Sequence, residues 1–176
     1  MSETRVTYYE SPIGLLEVRG GEQGISAVTF VDAFPRSARG ARTGRGGKGP
    51  LPAPLAECLT QLDEYFRGRR RTFSIKLDLG GTDFQNKVWR ALRAVRFGKM
   101  ASYRDIARNV GNAAATRAVG GANHRNPVSI IVPCHRVVGS DGRLTGYGGG
   151  LWRKEWLLRH EGNDLSSSRR PDRGKG

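Results

Sequence analysis

Cysteine and histidine are scarce in this sequence: its 176 residues include two cysteines and three histidines. Two cysteines cannot form the disulfide framework of a small secreted domain, and a reducing compartment disfavours even one bridge. Three histidines leave few ligands for a zinc site of the Cys/His type, so we expect no metal.

Long apolar runs are also missing. No stretch is long enough to span a bilayer, and the first ten residues, MSETRVTYYE, lack the apolar core of a signal peptide. We therefore expect a cytoplasmic protein that has no membrane partner.

Acidic residues are few compared with basic ones, and this charge imbalance indicates which class of partner the protein binds. Lysine and arginine number 30 against 16 aspartates and glutamates, so the formal net charge is +14. Such a surface attracts polyanions, and nucleic acid is the first candidate. An anionic membrane is the alternative, but the sequence has no basic amphipathic helix with an aromatic face.

The first half of the chain predicts a small domain over residues 1–80. Two strand-like segments flank the turn SPIG as a hairpin, and GISAVTFVD is a third strand candidate. Residues 35–54 are rich in Gly, Pro and Arg and predict a mobile basic loop. Residues 55–66 have the apolar spacing of a helix, and a further strand is expected to end at Leu79.

The second half, residues 81–162, predicts mostly helices. Thr82 or Asp83 can cap a first helix. Two short helices follow, one opened by Ser102 and one over residues 114–124, in a helix-turn-helix pattern. VSIIVP predicts a buried strand or extended run, LWRKEWLLRHEG a last helix, and residues 163–176 a disordered basic tail. The fold class is therefore α+β: a small sheet-plus-helix domain packed on a mostly helical one.

The stretch IIVPCHRVVG contains the most reactive pair of residues. Cys134 and His135 follow an apolar run and Pro133, which restricts the backbone before the thiol. A thiol becomes a nucleophile when a histidine takes its proton, and the imidazolium then needs a carboxylate. Glu161 is the candidate carboxylate. Cys58, on the buried face of the helix over 55–66, reads instead as a structural residue.

The sequence leaves three other classes of protein to be weighed. A cysteine protease would use a thiol and an imidazole, but its histidine is usually distant in sequence, and it needs neither this charge nor a helix-turn-helix. A DNA-binding sensor whose thiol detects alkylation or oxidation is a second hypothesis. A general nucleic-acid-coating protein, in which Cys134 has no role, is a third.

The segments NPVSIIVPCHRVVG, GYGGG and RKEWLLRHEG together resemble the O6-alkylguanine-DNA alkyltransferases, the methylated-DNA–protein-cysteine methyltransferases, closest to the bacterial constitutive single-function type. The resemblance runs from about residue 5 to 162. It implies a ribonuclease-H-like N-terminal domain and repair of duplex DNA by direct reversal, without a cofactor. A flipped-out O6-alkylguanine, with O4-alkylthymine as an open second substrate, would pass its alkyl group irreversibly to Cys134 and consume the protein.

The resemblance also implies a role for each matching residue. His135 would be the base through a water, Glu161 would orient His135, and Asn126 would hold the loop of the thiol. Contacts to DNA would come from Tyr103, Arg104, Asn112, Arg117 and Ser140, with Arg117 filling the gap left by the flipped base. Contacts to the alkylated guanine would come from Asn123, Val137, Tyr147 and Gly148.

Three further expectations follow from the resemblance. The protein would bind undamaged DNA non-specifically through its charge, and it would act as a monomer. The non-catalytic alkyltransferase-like proteins bind the same lesions but lack the cysteine, so Cys134 favours the active form.

Overall fold

The computed structural model describes residues 4–34 and 49–166. It begins with three antiparallel strands in sequence order: β1 (Arg5–Ser11), β2 (Gly14–Gly21) and β3 (Gly24–Val31). The β1–β2 pairing closes at Ser11 and Gly14, which confirms the predicted hairpin. Apolar residues alternate along β2 and place Leu16 and Val18 in the core.

One helix covers this sheet. α1 (Ala53–Phe66) buries Leu55, Cys58, Leu62 and Tyr65. It begins inside the segment predicted as a loop, because Pro54 is well suited to the first turn of a helix. Burial raises the pKa of the Cys58 thiol to about 12, so Cys58 is an inert core residue, as predicted.

The second half is helical, and capping residues set where its helices begin. α2 (Asp83–Arg93) and α3 (Tyr103–Asn109) each start with a capping box, formed by Thr82 with Gln85 and by Ser102 with Asp105. α4 (Thr116–His124) follows after a short turn in which Gly111 adopts φ +86°. α4 packs on both α2 and α3, which confirms the predicted helix-turn-helix.

Two short strands and a last helix complete the fold. β4 (Ala101–Ser102) pairs in parallel with β5 (Val137–Val138), so the start of α3 lies beside the segment that follows Cys134. α5 (Leu151–His160) buries Lys154, Leu157 and Leu158. No helix among the described residues is long and apolar enough to cross a membrane. The α+β fold class is confirmed.

Two predicted strands are wrong. The segment that ends at Leu79 makes only one parallel bridge, between Ile25 and Leu77. The apolar run before Cys134 turns back on itself instead of extending: Ile130 adopts φ 74°, and the Val132 amide donates to the Val128 carbonyl. Its backbone groups are therefore paired locally, apart from a bridge between Val28 and Val128.

The predicted tail is ordered at its start. Leu165 is buried against Val138 and Leu158, so the chain stays packed beyond residue 163. The rest of the predicted tail, 167–176, and most of the predicted loop, 35–48, lie outside the described residues.

Candidate active site

Cys134 stands at the start of a single 3-10 turn, Cys134–Arg136, between Pro133 and β5. Its side chain is almost fully buried. Asn126 holds the preceding loop in shape from both ends of its amide: Nδ2 donates to the Val132 carbonyl at 2.8 Å, and Oδ1 accepts from the Val128 amide at 3.0 Å. The thiol is thus placed by a loop with satisfied hydrogen bonds rather than by a strand.

A buried cluster forms behind the thiol around Glu161. His135 Nε2 lies 2.7 Å from Glu161 Oε1, and Arg136 donates to both carboxylate oxygens, at 2.8 and 3.0 Å. The hydroxyl of Tyr65, from α1, donates to Oε1 at 2.8 Å. Burial raises the pKa of Glu161, but the hydrogen bonds from His135 and Arg136 and the positive charge of Arg136 outweigh it and lower that pKa to about 2.

The ionised carboxylate decides which nitrogen of His135 carries the proton. Glu161 can only accept hydrogen bonds, so Nε2 must be the protonated nitrogen. The other nitrogen, Nδ1, is buried and has no hydrogen-bond partner among the described residues. Burial lowers the pKa of His135 despite the opposing effect of Glu161, so the ring is neutral and Nδ1 offers a free lone pair. A neutral imidazole in this tautomer can act as a general base.

The thiol itself is protonated at rest. Burial raises the pKa of Cys134, while a hydrogen bond from Asn126 and the positive charge of Lys154 act in the opposite direction. Lys154 is fully buried, its Nζ donates to the Thr145 carbonyl at 2.8 Å, and burial lowers its pKa to about 8. A thiol in this state needs a base before it can attack.

Cys134 faces a small cavity of about 40 Å³. Among the predicted substrate contacts, Asn123, Tyr147 and Gly148 line it together with Cys134 and Asn126, and Ser129 lines it as well. Val137 is not among the lining residues; its side chain is buried in β5, and the contact that the resemblance implies for it is through its backbone carbonyl. The cavity volume is far too small for a purine, so the cavity must enlarge before a base enters.

The predicted DNA contacts lie on the helix-turn-helix and on the loop after β5. Arg104 in the first turn of α3, Asn112 in the turn, Arg117 in the first turn of α4 and Ser140 are all exposed. Tyr103 is half-buried, and its hydroxyl lies 2.9 Å from the Thr145 hydroxyl, next to the glycine-rich loop that carries Tyr147. Tyr103 is therefore the member of this set that contacts the start of the loop carrying Tyr147.

Three residues of the site were not identified from the sequence. Tyr65 is distant in the chain, and nothing in a helical pattern marks its hydroxyl as a partner of Glu161. Lys154 sits in an ordinary helix, where a lysine normally faces water. The position of Arg136 directly after Cys134 and His135 indicates that it belongs to the site, but nothing in the sequence indicates that its partner is Glu161. Among the described residues, no group of three His, Cys, Asp or Glu side chains could hold a metal.

Comparison with known proteins shows the same two-part organisation. Residues 4–79 match the family model of the 6-O-methylguanine DNA methyltransferase ribonuclease-like domain, and residues 83–163 match that of the DNA binding domain. A methylated-DNA–protein-cysteine methyltransferase from Methanosarcina acetivorans is 42% identical over 164 residues, covering 88% of this chain and 96% of the relative.

Solved structures agree with this relationship. The O6-methylguanine methyltransferase of Mycobacterium tuberculosis superposes with a TM-score of 0.76 at 40% identity, covering 97% of this chain and 96% of that one. The Mycobacterium tuberculosis protein in complex with DNA gives 0.75 at 42% identity, over 89% of this chain and 91% of that one.

Proposed function

Because this chain belongs to the 6-O-methylguanine DNA methyltransferase family, we propose that Cys134 is the residue that accepts the alkyl group. The protein repairs DNA by direct reversal of O6-alkylguanine, as a methylated-DNA–protein-cysteine methyltransferase. One observation carries the assignment: Cys134 lines a cavity and is followed by a buried His135 that is oriented by Glu161 and has a free Nδ1.

The geometry supports the following proton path. His135 Nδ1 takes the Cys134 proton through a bridging water, and Glu161 stabilises the imidazolium that forms. Lys154 and Asn126 stabilise the thiolate. The family resemblance cast Asn126 as the residue that holds the loop of the thiol, and the bonds of its amide support that role.

The transfer is a displacement at carbon. Cys134 Sγ forms a bond to the alkyl carbon while the bond from that carbon to guanine O6 breaks. The departing guanine takes up one proton, which we assign to the Tyr103 hydroxyl, and water then restores the phenol. The product is a thioether, which offers no thiol for a second turnover, so each molecule acts once.

The burial of Cys134 in a small cavity implies that the base must be extruded from the duplex to reach the thiol and that the cavity must enlarge, which we assign to movement of the glycine-rich loop. Flipping costs a few kcal/mol and least for a poorly paired base, which favours alkylated guanine over normal guanine. We assign Arg117, exposed in the first turn of α4, to the gap left in the stack, with α4 in the minor groove. Arg104, Asn112 and Ser140 would contact the backbone, and Asn123, Tyr147, Gly148 and the Val137 carbonyl the base.

Several further properties remain predictions. The net charge of +14 predicts non-specific DNA binding that weakens steeply with salt. The monomeric state, the cytoplasmic location, the domain boundary near residue 80 and the action on O4-alkylthymine likewise stay predictions.

The test is the intact mass of the protein after incubation with a duplex that contains one O6-methylguanine. Wild type should gain one methyl group, mapped to Cys134. Cys134→Ala should gain none, and Cys58→Ala, which removes the buried core thiol, should still gain one. Tight binding of wild type to the lesion without any mass gain would instead favour a lesion-recognition protein.

A further inference from the structure

The glycine-rich loop over residues 145–150 is tied down by two neighbouring cations of α5. Lys154 donates to the Thr145 carbonyl at one end of the loop, and Arg153 donates from NH1 to the Gly149 carbonyl at 2.7 Å at the other. Arg153 makes a second bond that leaves this half of the chain: its Nε donates to the Ile13 carbonyl, in the turn between β1 and β2, at 2.7 Å. Arg153 therefore joins the N-terminal sheet to the loop that carries Tyr147.

Two aromatic rings lie close to the guanidinium of Arg153. Its central carbon lies 4.5 Å from the centre of the Phe30 ring and 4.7 Å from that of Trp152. Arg153 forms no ion pair with any carboxylate in residues 4–34 and 49–166. Its planar fork is used to bridge two carbonyls, a geometry that a lysine ammonium does not reproduce.

Two glycines let the backbone come close enough for this bridge. A Cβ on Gly14 would lie 2.7 Å from NH2 of Arg153. A Cβ on Gly149 would lie 2.7 Å from the Phe30 ring and 3.2 Å from Cδ of Arg153. The loop is thus packed directly against β3 and Arg153, with no room for a side chain between them.

The same strand contacts two residues that line the cavity in front of Cys134. The Val28 carbonyl accepts a 2.9 Å hydrogen bond from the amide of Ser129, which lines the cavity. Two residues further along β3, the Phe30 ring makes an edge contact with the ring of Tyr147, which also lines the cavity, with 6.5 Å between ring centres. Because Arg153 packs on Phe30 and holds Gly149, it limits how far Tyr147 and its loop can move away from β3.

We propose that Arg153 is a positioning residue that sets the size of alkyl group the acceptor cavity admits, by tying the Tyr147 loop to the N-terminal sheet. The proposal rests on the acceptor role of Cys134. A cavity of about 40 Å³ must enlarge for any substrate, and it must enlarge more for a benzyl group than for a methyl group. Releasing the loop therefore lowers the cost of admitting the larger group by more.

The test compares second-order rate constants for transfer to Cys134 from O6-benzylguanine and from O6-methylguanine, each in the same duplex, followed by intact mass. Arg153→Met keeps much of the aliphatic stem and removes both carbonyl bonds. We expect the benzyl-to-methyl ratio to rise at least about fivefold over wild type. Arg153→Lys keeps the charge but loses the fork, and should raise the ratio as well. Arg159→Met is the matched control, since it removes the same charge from α5 at an exposed residue whose ion pair is with Glu155 of the same helix, and its ratio should equal that of wild type.

Free O6-benzylguanine base, which needs no DNA contact, separates positioning from DNA binding. Its reaction should also be faster in Arg153→Met, while the pH dependence of Cys134 modification by a small thiol reagent stays unchanged. Phe30→Leu weakens the packing between β3 and Arg153, so it should shift the benzyl-to-methyl ratio in the same direction. This variant replaces Arg153→Met in the test if Arg153→Met does not fold.

An unchanged ratio in folded Arg153→Met and Phe30→Leu would overturn the proposal. So would an equal loss of both rates with a salt slope of binding reduced by about one, because that result identifies Arg153 as a phosphate contact. Failure of wild type to transfer any group would refute the acceptor role itself, and it is recognised before any variant is measured.

Discussion

Glu161→Gln should destabilise the protein by an amount that depends on pH. The carboxylate is buried and accepts hydrogen bonds from Tyr65, His135 and Arg136. Burial raises its pKa, but the interactions with His135 and Arg136 outweigh this and lower it from an ordinary 4.5 to about 2. A group whose pKa is depressed by folding contributes stability that is fully present above its unfolded pKa and is lost as the pH falls toward its folded pKa. The window for Glu161 is therefore about pH 4.5 down to pH 2.

The magnitude follows from the shift. A difference of about 2.5 units at 1.36 kcal/mol each gives roughly 3 kcal/mol at pH 7. At pH 3 only about half of that contribution remains, since the unfolded carboxyl is already protonated there and the folded one is not. The neutral glutamine lacks the whole contribution at every pH.

Urea unfolding of wild type and Glu161→Gln at pH 7, 5 and 3 measures this directly. The difference in free energy of unfolding should be about 3 kcal/mol at the two higher pH values and fall to about half at pH 3. Glu155→Gln is the control: its pair with Arg159 is partly exposed, so the expected cost is below about 1 kcal/mol at any pH. A difference that stays constant from pH 7 to pH 3 would show that packing rather than ionisation makes Glu161 matter.

Three further outcomes are expected. Lys154→Met should raise the pKa of Cys134, because it removes the nearby positive charge, and so shift the pH profile of thiol modification upward; an unshifted profile would remove Lys154 from the account of the thiolate. Asn126→Ala should slow alkyl transfer and cost about 1–3 kcal/mol in a urea titration, because the buried Val128 amide loses its acceptor and the Val132 carbonyl keeps only its bond from the Cys134 amide; wild-type stability would contradict this. Tyr65→Phe should cost about 1.5–3 kcal/mol but keep most of the transfer rate at pH 7, since Glu161 stays ionised; a large loss of rate in a folded variant would show a more direct part for the hydroxyl.

Local patterns in the sequence were sufficient to predict the helices and the hairpin. Thr82 and Ser102 are capping residues with their N3 partners in place, and both helices begin where these residues predict. The apolar run before Cys134 misled for a physical reason. A run of Val and Ile is typical of a buried strand, yet Asn126 and the positive φ of Ile130 close it into a buried loop, and composition alone cannot distinguish the two.

The sequence predicts the pairing of His135 with Glu161, because few carboxylates occur in the second half of the chain. It does not predict the hydrogen-bond donors that complete the site. Tyr65 is 96 residues away from Glu161, and Arg153 is 140 residues away from Ile13. Contacts of this range depend on how two packed halves meet, and no spacing along the chain encodes that.

These long-range contacts give the N-terminal sheet and α1 a function although they carry none of the predicted site residues. Tyr65 reaches from α1 to the carboxylate behind the histidine, and Val28 and Phe30 of β3 contact Ser129 and Tyr147, which line the cavity. A thiol with a raised pKa reacts only if its base, its carboxylate and its cavity wall are all held in place at once. The helical half supplies the reacting groups, but some of the contacts that position them come from the sheet and α1. We therefore expect a substitution at Tyr65 to change the stability of the protein at acid pH. We expect a substitution at Phe30 to change the size of the alkyl group that the cavity accepts. Neither substitution removes a residue that is predicted to contact DNA.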